Sequence, residues 1–186
     1  MWKDSKKFSQ LKNNWKNRWK EELIDILIFG SAVKGKLAPH DIDICLIFKD
    51  KPNLKLVREV ESLLGEKYHI NFLNAENFFQ EVHSLSKTIF FEGASILTGK
   101  KLSEAYGLMP KLLYAYDLSP EAPSKKVRFV YLLRGRNGSE GLVKKFSGEF
   151  VSNSAFLIPL EKDKEMQEVL EQWKIKYTRR KLMLMN

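Results

Sequence analysis

The feature that most constrains the fold is a pair of strand-length apolar runs, Leu23 to Phe29 and Asp41 to Phe48, joined by a short polar segment. The first run ends at Gly30-Ser31, and the second opens with Asp41-Ile42-Asp43. Successive side chains of a strand point to opposite faces, so the two aspartates share one face and the apolar residues after them occupy the other. The sequence therefore predicts two buried strands with a pair of carboxylates at the head of the second.

The segments around these strands alternate between helical and strand periodicity. Phe8, Leu11, Trp15 and Trp19 recur every three or four residues, which predicts an amphipathic helix whose tryptophans face the core. After the second strand, the pattern predicts a helix over 54–64 that ends at Gly65, a strand over 68–73, a helix over 75–90, and a short strand before residue 102. Residues 1–102 are thus expected to form an α/β (α+β) domain, a mixed sheet with flanking helices.

The remainder of the chain predicts a second, smaller unit. Residues 103–123 contain three prolines and are interpreted as a linker. Residues 124–186 are expected to form a small α+β domain, in which 124–134 reads as a helix in preference to a strand. Its helix–helix–hairpin order is typical of a winged helix, and the same segments can also be read as a βαββαβ sandwich; both folds often bind nucleic acids.

Charge is concentrated at the N-terminus of this 186-residue chain, whose net charge is +9. Residues 1–20 hold seven lysines and arginines against one aspartate. Such a cluster fits a phosphate backbone, although a solvated helix face has the same composition. The predicted RNA contacts are Lys3, Lys6, Lys7, Lys12 and Lys16 here, and Arg128, Arg134 and Arg136 in the second unit, with Lys125, Lys126, Lys144 and Lys145 beside them.

Cysteine and hydropathy patterns bear on location. Cys45 is the single cysteine, so no intramolecular disulfide can form, which fits a reducing compartment. The first twenty residues lack the apolar run of a signal peptide, and the longest apolar runs are too short to cross a bilayer. A soluble, cytoplasmic protein without a membrane partner is expected.

The aspartate pair predicts a metal site. Two carboxylates this close repel unless a cation lies between them, and oxygen ligands that leave room for a phosphate suit Mg²⁺ or Mn²⁺. At Gly30 the missing side chain lets a phosphate approach the backbone, where Ser31 can hold it and Lys34 can neutralise it. The sequence therefore predicts a metal–nucleotide site formed by these five residues.

These residues resemble the nucleotidyltransferase superfamily typified by DNA polymerase β, and most closely its minimal archaeal and bacterial members. The resemblance covers residues 23–102 and rests on Phe29-Gly30-Ser31, Lys34-Gly35, Asp41-Ile42-Asp43 and the turn Glu92-Gly93 with Leu97. It implies two-metal catalysis, in which Asp41 and Asp43 hold Mg²⁺ and a nucleoside monophosphate passes from a nucleoside triphosphate to an acceptor. The expected nucleotide is ATP, and the expected acceptor is an RNA or a protein.

Members of the superfamily place a third carboxylate on a following strand. In this chain the side chain that we align with that acid is Asn71, an amide, with His69 on the same face and Glu76 and Glu92 further along the sequence. Three functions therefore stay open: a working nucleotidyltransferase, a catalytically degenerate protein that binds nucleotide and nucleic acid, and an antitoxin-type transferase that modifies a partner protein.

Overall fold

The computed structural model of this chain describes residues 6–33, 41–80 and 84–185, and the chain divides between Leu108 and Met109 into two units. No helix in the described ranges is long and apolar enough to cross a membrane. The first unit contains helices α1 (Lys6–Asn14), α2 (Leu54–Leu64), α3 (Ala75–Gln80), α4 (Ser84–Glu92) and α5 (Leu102–Ala105), and strands β1 (Leu23–Phe29), β2 (Ile42–Phe48), β3 (Tyr68–Asn74) and β4 (Ala94–Ser95).

These four strands form one mixed sheet in the order β3-β2-β1-β4. Strand β2 is antiparallel to β1 and parallel to β3, and β4 is antiparallel to β1. A parallel pair needs a long crossover, which α2 supplies between β2 and β3. The predicted mixed sheet with flanking helices is confirmed.

The sheet is apolar on both faces. One face contacts α1 and α2 through Ile26, Ile44 and Leu46, and buries Leu11 and Val57 of those helices. The opposite face forms a second cluster, in which Leu27, Phe29, Cys45 and Ile47 contact Phe78 of α3 and Ile89 of α4. Strand β2 is therefore apolar on consecutive residues from Ile44 to Phe48, and β1 is apolar from Ile26 to Phe29, whereas β3 alternates with the polar residues His69 and Asn71.

Two local predictions for this unit meet different outcomes. Helix α2 has the predicted bounds: the Asn53 side chain accepts hydrogen bonds from the first-turn backbone N–H groups, and Gly65 ends the helix at a φ of +78°. The helix predicted over 75–90 is present as α3 and α4, which lie on either side of residues 81–83, and those three residues are outside the described part of the chain.

The second unit follows the order β5 (Leu108–Asp117), α6 (Pro123–Arg134), α7 (Leu142–Lys145), β6 (Glu149–Ser152), β7 (Ala155–Pro159), α8 (Asp163–Gln172) and β8 (Lys176–Met185). Its sheet order is β6-β7-β5-β8, and β7 is antiparallel to both β5 and β6. Apart from the short α7, this is the βαββαβ (split βαβ, ferredoxin-like) arrangement rather than the winged helix, the other predicted fold.

Residues 103–123, predicted as a linker, instead contain most of α5 and β5. Strand β5 lies between β7 and β8 and buries Leu112, Tyr114 and Tyr116 at every second position. The alternation was missed because Pro110 lies near the start of the strand, and a proline within a run argues against predicting a central strand there. The predicted helix over 124–134 is present as α6.

Candidate active site at the Gly30 turn

The two aspartates lie at the head of β2. Asp41 directly precedes the strand and its side chain is 57% exposed, whereas Asp43 lies within the strand and is 33% exposed. Strand alternation puts both carboxylates on the face that carries Cys45, while Ile44 points into the core on the other face. The carboxylates are thus open to solvent at the point where the apolar part of the sheet ends.

A glycine turn lies against one side of the Asp43 carboxylate. Strand β1 ends at Phe29, which pairs with Asp43, and the chain then enters a short 3-10 turn over Gly30–Ala32. Gly30 has a φ of +74°, and a Cβ atom at this position would lie only 2.5 Å from Asp43 Oδ2. Glycine is therefore required twice, for its left-handed backbone and for the space that the carboxylate occupies.

The third polar side chain at the site is His69. In the parallel pairing of β2 with β3, Asp43 is opposite His69, whereas Asn71 is opposite Cys45. His69 Nδ1 lies 3.8 Å from Asp43 Oδ1, and His69 Nε2 lies 3.9 Å from Asp41 Oδ1. The side chain in register with the aspartates is thus the imidazole, and the predicted alignment of Asn71 with them differs by two residues along the strand.

The other residues predicted to contribute to the site either lie outside the described part of the chain or lie away from β3. Lys34 and His40, and the side chain of Ser31, lie outside the described residues. Glu76 is exposed in the first turn of α3, and Glu92 is buried at the end of α4. Neither glutamate is on β3, so within the described residues the strand beside β2 brings a histidine, and no carboxylate, next to Asp43.

The donor set at this site suits a cation that takes part of its coordination from a substrate. Among the residues that the structure describes, no group of three His, Cys, Asp or Glu side chains could hold a metal ion. The aspartates can provide two oxygen ligands, and Mg²⁺ commonly binds one or two carboxylates while substrate phosphates and waters complete its octahedron. The residues present therefore fit Mg²⁺ bound together with a nucleotide better than a metal held by protein alone.

The basic residues predicted to contact RNA are mostly exposed, but some have partners. On the N-terminal segment Lys6, Lys12 and Lys16 are exposed, and Lys3 lies outside the described residues. Lys7 Nζ donates to the Leu64 carbonyl, and Arg18 Nη1 lies 2.5 Å from Glu59 Oε1. Two of these cations therefore contact α2 and are not free for a nucleic acid.

The first unit thus brings together an apolar strand, a glycine turn and an Asp-x-Asp at the head of the neighbouring strand. Residues 10–101 match the family described as Polymerase beta, Nucleotidyltransferase. The N-terminal unit is therefore similar to that family, whose general activity is nucleotidyl transfer. No curated protein and no solved structure matched the chain significantly.

Proposed function

We propose that this protein is a Mg²⁺-dependent nucleotidyltransferase that transfers a nucleoside monophosphate to a hydroxyl group of an RNA or a protein. The acceptor oxygen attacks the α-phosphorus of a nucleoside triphosphate, the bond to the bridging oxygen breaks, and pyrophosphate leaves. The observation that carries the proposal is the contact geometry of Asp43, whose carboxylate lies against Gly30 and faces His69.

Each residue of the site has a role in this proposal. Asp41 and Asp43 would hold Mg²⁺, which, when bound, neutralises the triphosphate and makes the acceptor hydroxyl more acidic. Because Gly30 has no side chain of its own, phosphate oxygens could approach the backbone of this turn. These residues bind and orient the nucleotide, and they do so without a third carboxylate.

His69 is the side chain of β3 that faces the aspartates. Its imidazole faces both aspartates and is 60% exposed, so an acceptor hydroxyl can reach it. An imidazole can accept the proton that the hydroxyl loses as it attacks phosphorus. We therefore assign His69, rather than Asn71, as the general base of the transfer.

The second candidate is a protein that binds a nucleotide without transferring it. The observation that favours it is the same pairing of His69 with Asp43, because the strand next to the aspartates supplies no further anionic ligand. A site with two carboxylates can still hold one Mg²⁺–nucleotide complex. Binding would then occur while the acceptor hydroxyl stays unactivated.

Label transfer from α-labelled nucleoside triphosphates distinguishes the two candidates. The full chain is incubated with Mg²⁺ and each of the four nucleotides, with total RNA or a cell extract as the source of acceptors. We expect one nucleotide to label a discrete acceptor and Asp43→Asn to abolish that labelling. Asp50→Asn is the matched control, since Asp50 is an exposed acid just after the other end of β2. Labelling that survives Asp43→Asn would refute the assigned site.

Substitutions on β3 test the role of His69. We expect His69→Gln to retain Mg²⁺–nucleotide binding, measured by titration calorimetry, and to lose about 10²–10⁴-fold in transfer rate, the usual contribution of a general base. If no acceptor is labelled by the native chain but nucleotide binds, the second candidate stands. In that case His69→Asp should create transfer, and Asn71→Asp, one side chain further along the same face, should not.

A further inference from the structure

Helix α6 presents an exposed face that carries cations and no carboxylate. The segment Pro123–Arg134 contains no acidic residue. Phe129 and Leu133 are buried beneath it, and its exposed positions follow helical spacing: Ser124, Val127, Arg128, Tyr131 and Arg134. Two of these are apolar or aromatic side chains with large exposed fractions, 49% for Val127 and 41% for Tyr131.

Three arginines of this unit lie over aromatic rings. The distances from the guanidinium carbon to the ring centroid are 5.7 Å for Arg128 over Trp173, 3.9 Å for Arg134 over Phe150, and 4.9 Å for Arg136 over Tyr131. Arg134 is further fixed by a hydrogen bond from Nη2 to the Ser152 carbonyl, 3.2 Å away. Cation–π contact orients each planar guanidinium and leaves part of its donor edge free.

The neighbouring lysines are engaged differently. Lys125 Nζ lies 2.6 Å from Glu121 Oε2, and Lys144 Nζ lies 3.0 Å from Glu140 Oε1. Lys126 Nζ donates to the Ser119 carbonyl. In contrast, Arg128, Arg134 and Arg136 form no ion pair with any carboxylate in the described part of the chain. Three of the cations that no carboxylate of the described residues pairs with are therefore arginines already oriented by aromatic rings.

We infer that the surface formed by Arg128, Tyr131 and Arg134 of α6, together with Arg136 just after the helix, binds a single-stranded nucleic acid. Guanidinium groups bind phosphate oxygens through two parallel hydrogen bonds, and less entropy is lost when the groups are oriented beforehand. Arg136 lies over one face of the partly exposed Tyr131 ring, and the opposite face offers a stacking surface that an unpaired base can use and a carboxylate side chain cannot.

Fluorescence anisotropy of the full chain with a labelled 20-nucleotide oligouridylate tests the inference. No metal or nucleoside triphosphate is added, so the result is independent of the proposed transfer reaction. The test variant is Arg128→Gln/Arg134→Gln/Arg136→Gln. The matched control is Lys125→Gln/Lys144→Gln/Lys164→Gln, which removes the same charge from lysines that are paired with glutamates. Thermal melts of both triple variants verify that they are folded.

We expect the arginine variant to weaken binding by about tenfold or more and to reduce the slope of log K against log salt by about 2, as expected for three lost phosphate contacts on a single strand. The lysine control should change affinity by less than about threefold. Tyr131→Ala should weaken binding by about tenfold through lost stacking. If Arg134→Gln unfolds the chain, the pair Arg128→Gln/Arg136→Gln against Lys125→Gln/Lys144→Gln gives the same comparison.

Three results would overturn the inference. The oligonucleotide could fail to bind even at low salt. The arginine and lysine variants could lose affinity equally, which would indicate net charge alone. Polyglutamate of matched charge could compete as well as unlabelled oligouridylate while Tyr131→Ala has no effect, which would point to an acidic protein as the partner.

Discussion

Substitution of Gly30 by alanine separates the backbone requirement of the turn from its functional role. Gly30 has a φ of +74°, and Gly99 has a φ of +73° with no atom within 4 Å of the position that a Cβ atom would take. A left-handed residue with a Cβ atom costs about 1–2 kcal/mol. Gly30→Ala and Gly99→Ala should therefore lower the free energy of unfolding by similar amounts, measured by urea denaturation.

The two variants should differ in function. At Gly30 the new methyl carbon would lie 2.5 Å from Asp43 Oδ2, whereas ordinary contact begins at 3.4 Å, so the carboxylate must move by about 1 Å. A side-chain end can rotate away at little cost in stability, but a displacement of this size in a catalytic group can cost about 10²-fold in rate. We expect Gly30→Ala to lose about 10²-fold in label transfer and to weaken Mg²⁺–nucleotide binding, while Gly99→Ala keeps both.

The comparison can fail in two informative ways. If Gly30→Ala transfers label and binds Mg²⁺–nucleotide as well as Gly99→Ala does, the contact between Gly30 and Asp43 has no role in the site. If Gly30→Ala is several kcal/mol less stable than Gly99→Ala, Asp43 cannot move as argued, and a loss of activity would only report unfolding.

Three further predictions concern stability. Burial raises the pKa of Asp25 above its ordinary value of 3.8, so the native state binds this proton more tightly than the unfolded chain does. The stability that the Asp25 carboxyl contributes is therefore full below pH 3.8 and is lost as the pH rises through the shifted pKa. Asp25→Asn should be more stable than the native chain at pH 7 but not below pH 3.8, measured by urea titrations at both pH values. Tyr114→Phe removes a 2.6 Å hydrogen bond to Asp163 Oδ1 from a fully buried ring and should cost about 1.5–3 kcal/mol in the free energy of unfolding; a loss below about 0.5 kcal/mol would contradict this expectation. Asn53→Ala removes the side-chain acceptor at the start of α2 and should cost about 1 kcal/mol in the free energy of unfolding. Asn53→Ser, which keeps a side-chain acceptor but, like alanine, lacks the amide that donates to Glu22 Oε2, should be more stable than Asn53→Ala.

Much of the first unit could be predicted because its signals are local. Helical spacing, strand-length apolar runs and the cap at Asn53 act within a few residues, and they gave most of the elements of the first sheet. The Asp-x-Asp at 41–43 and the Gly30 turn are also local, and they indicated the family that residues 10–101 match. The βαββαβ order of the second unit was one of two open alternatives. Strand β5 was not predicted, because Pro110 lies within it and the segment 103–123 contains two further prolines.

The sequence by itself determined that two carboxylates share one face at the head of an apolar strand, since strand alternation requires it. Only the tertiary structure decided which side chain they meet. The register of two parallel strands joined through a helix depends on how that helix packs, and it put His69, not Asn71, opposite Asp43. Packing likewise decided which cations are neutralised. Lys125 and Lys144 form ion pairs with glutamates, whereas Arg128, Arg134 and Arg136 lie over aromatic rings.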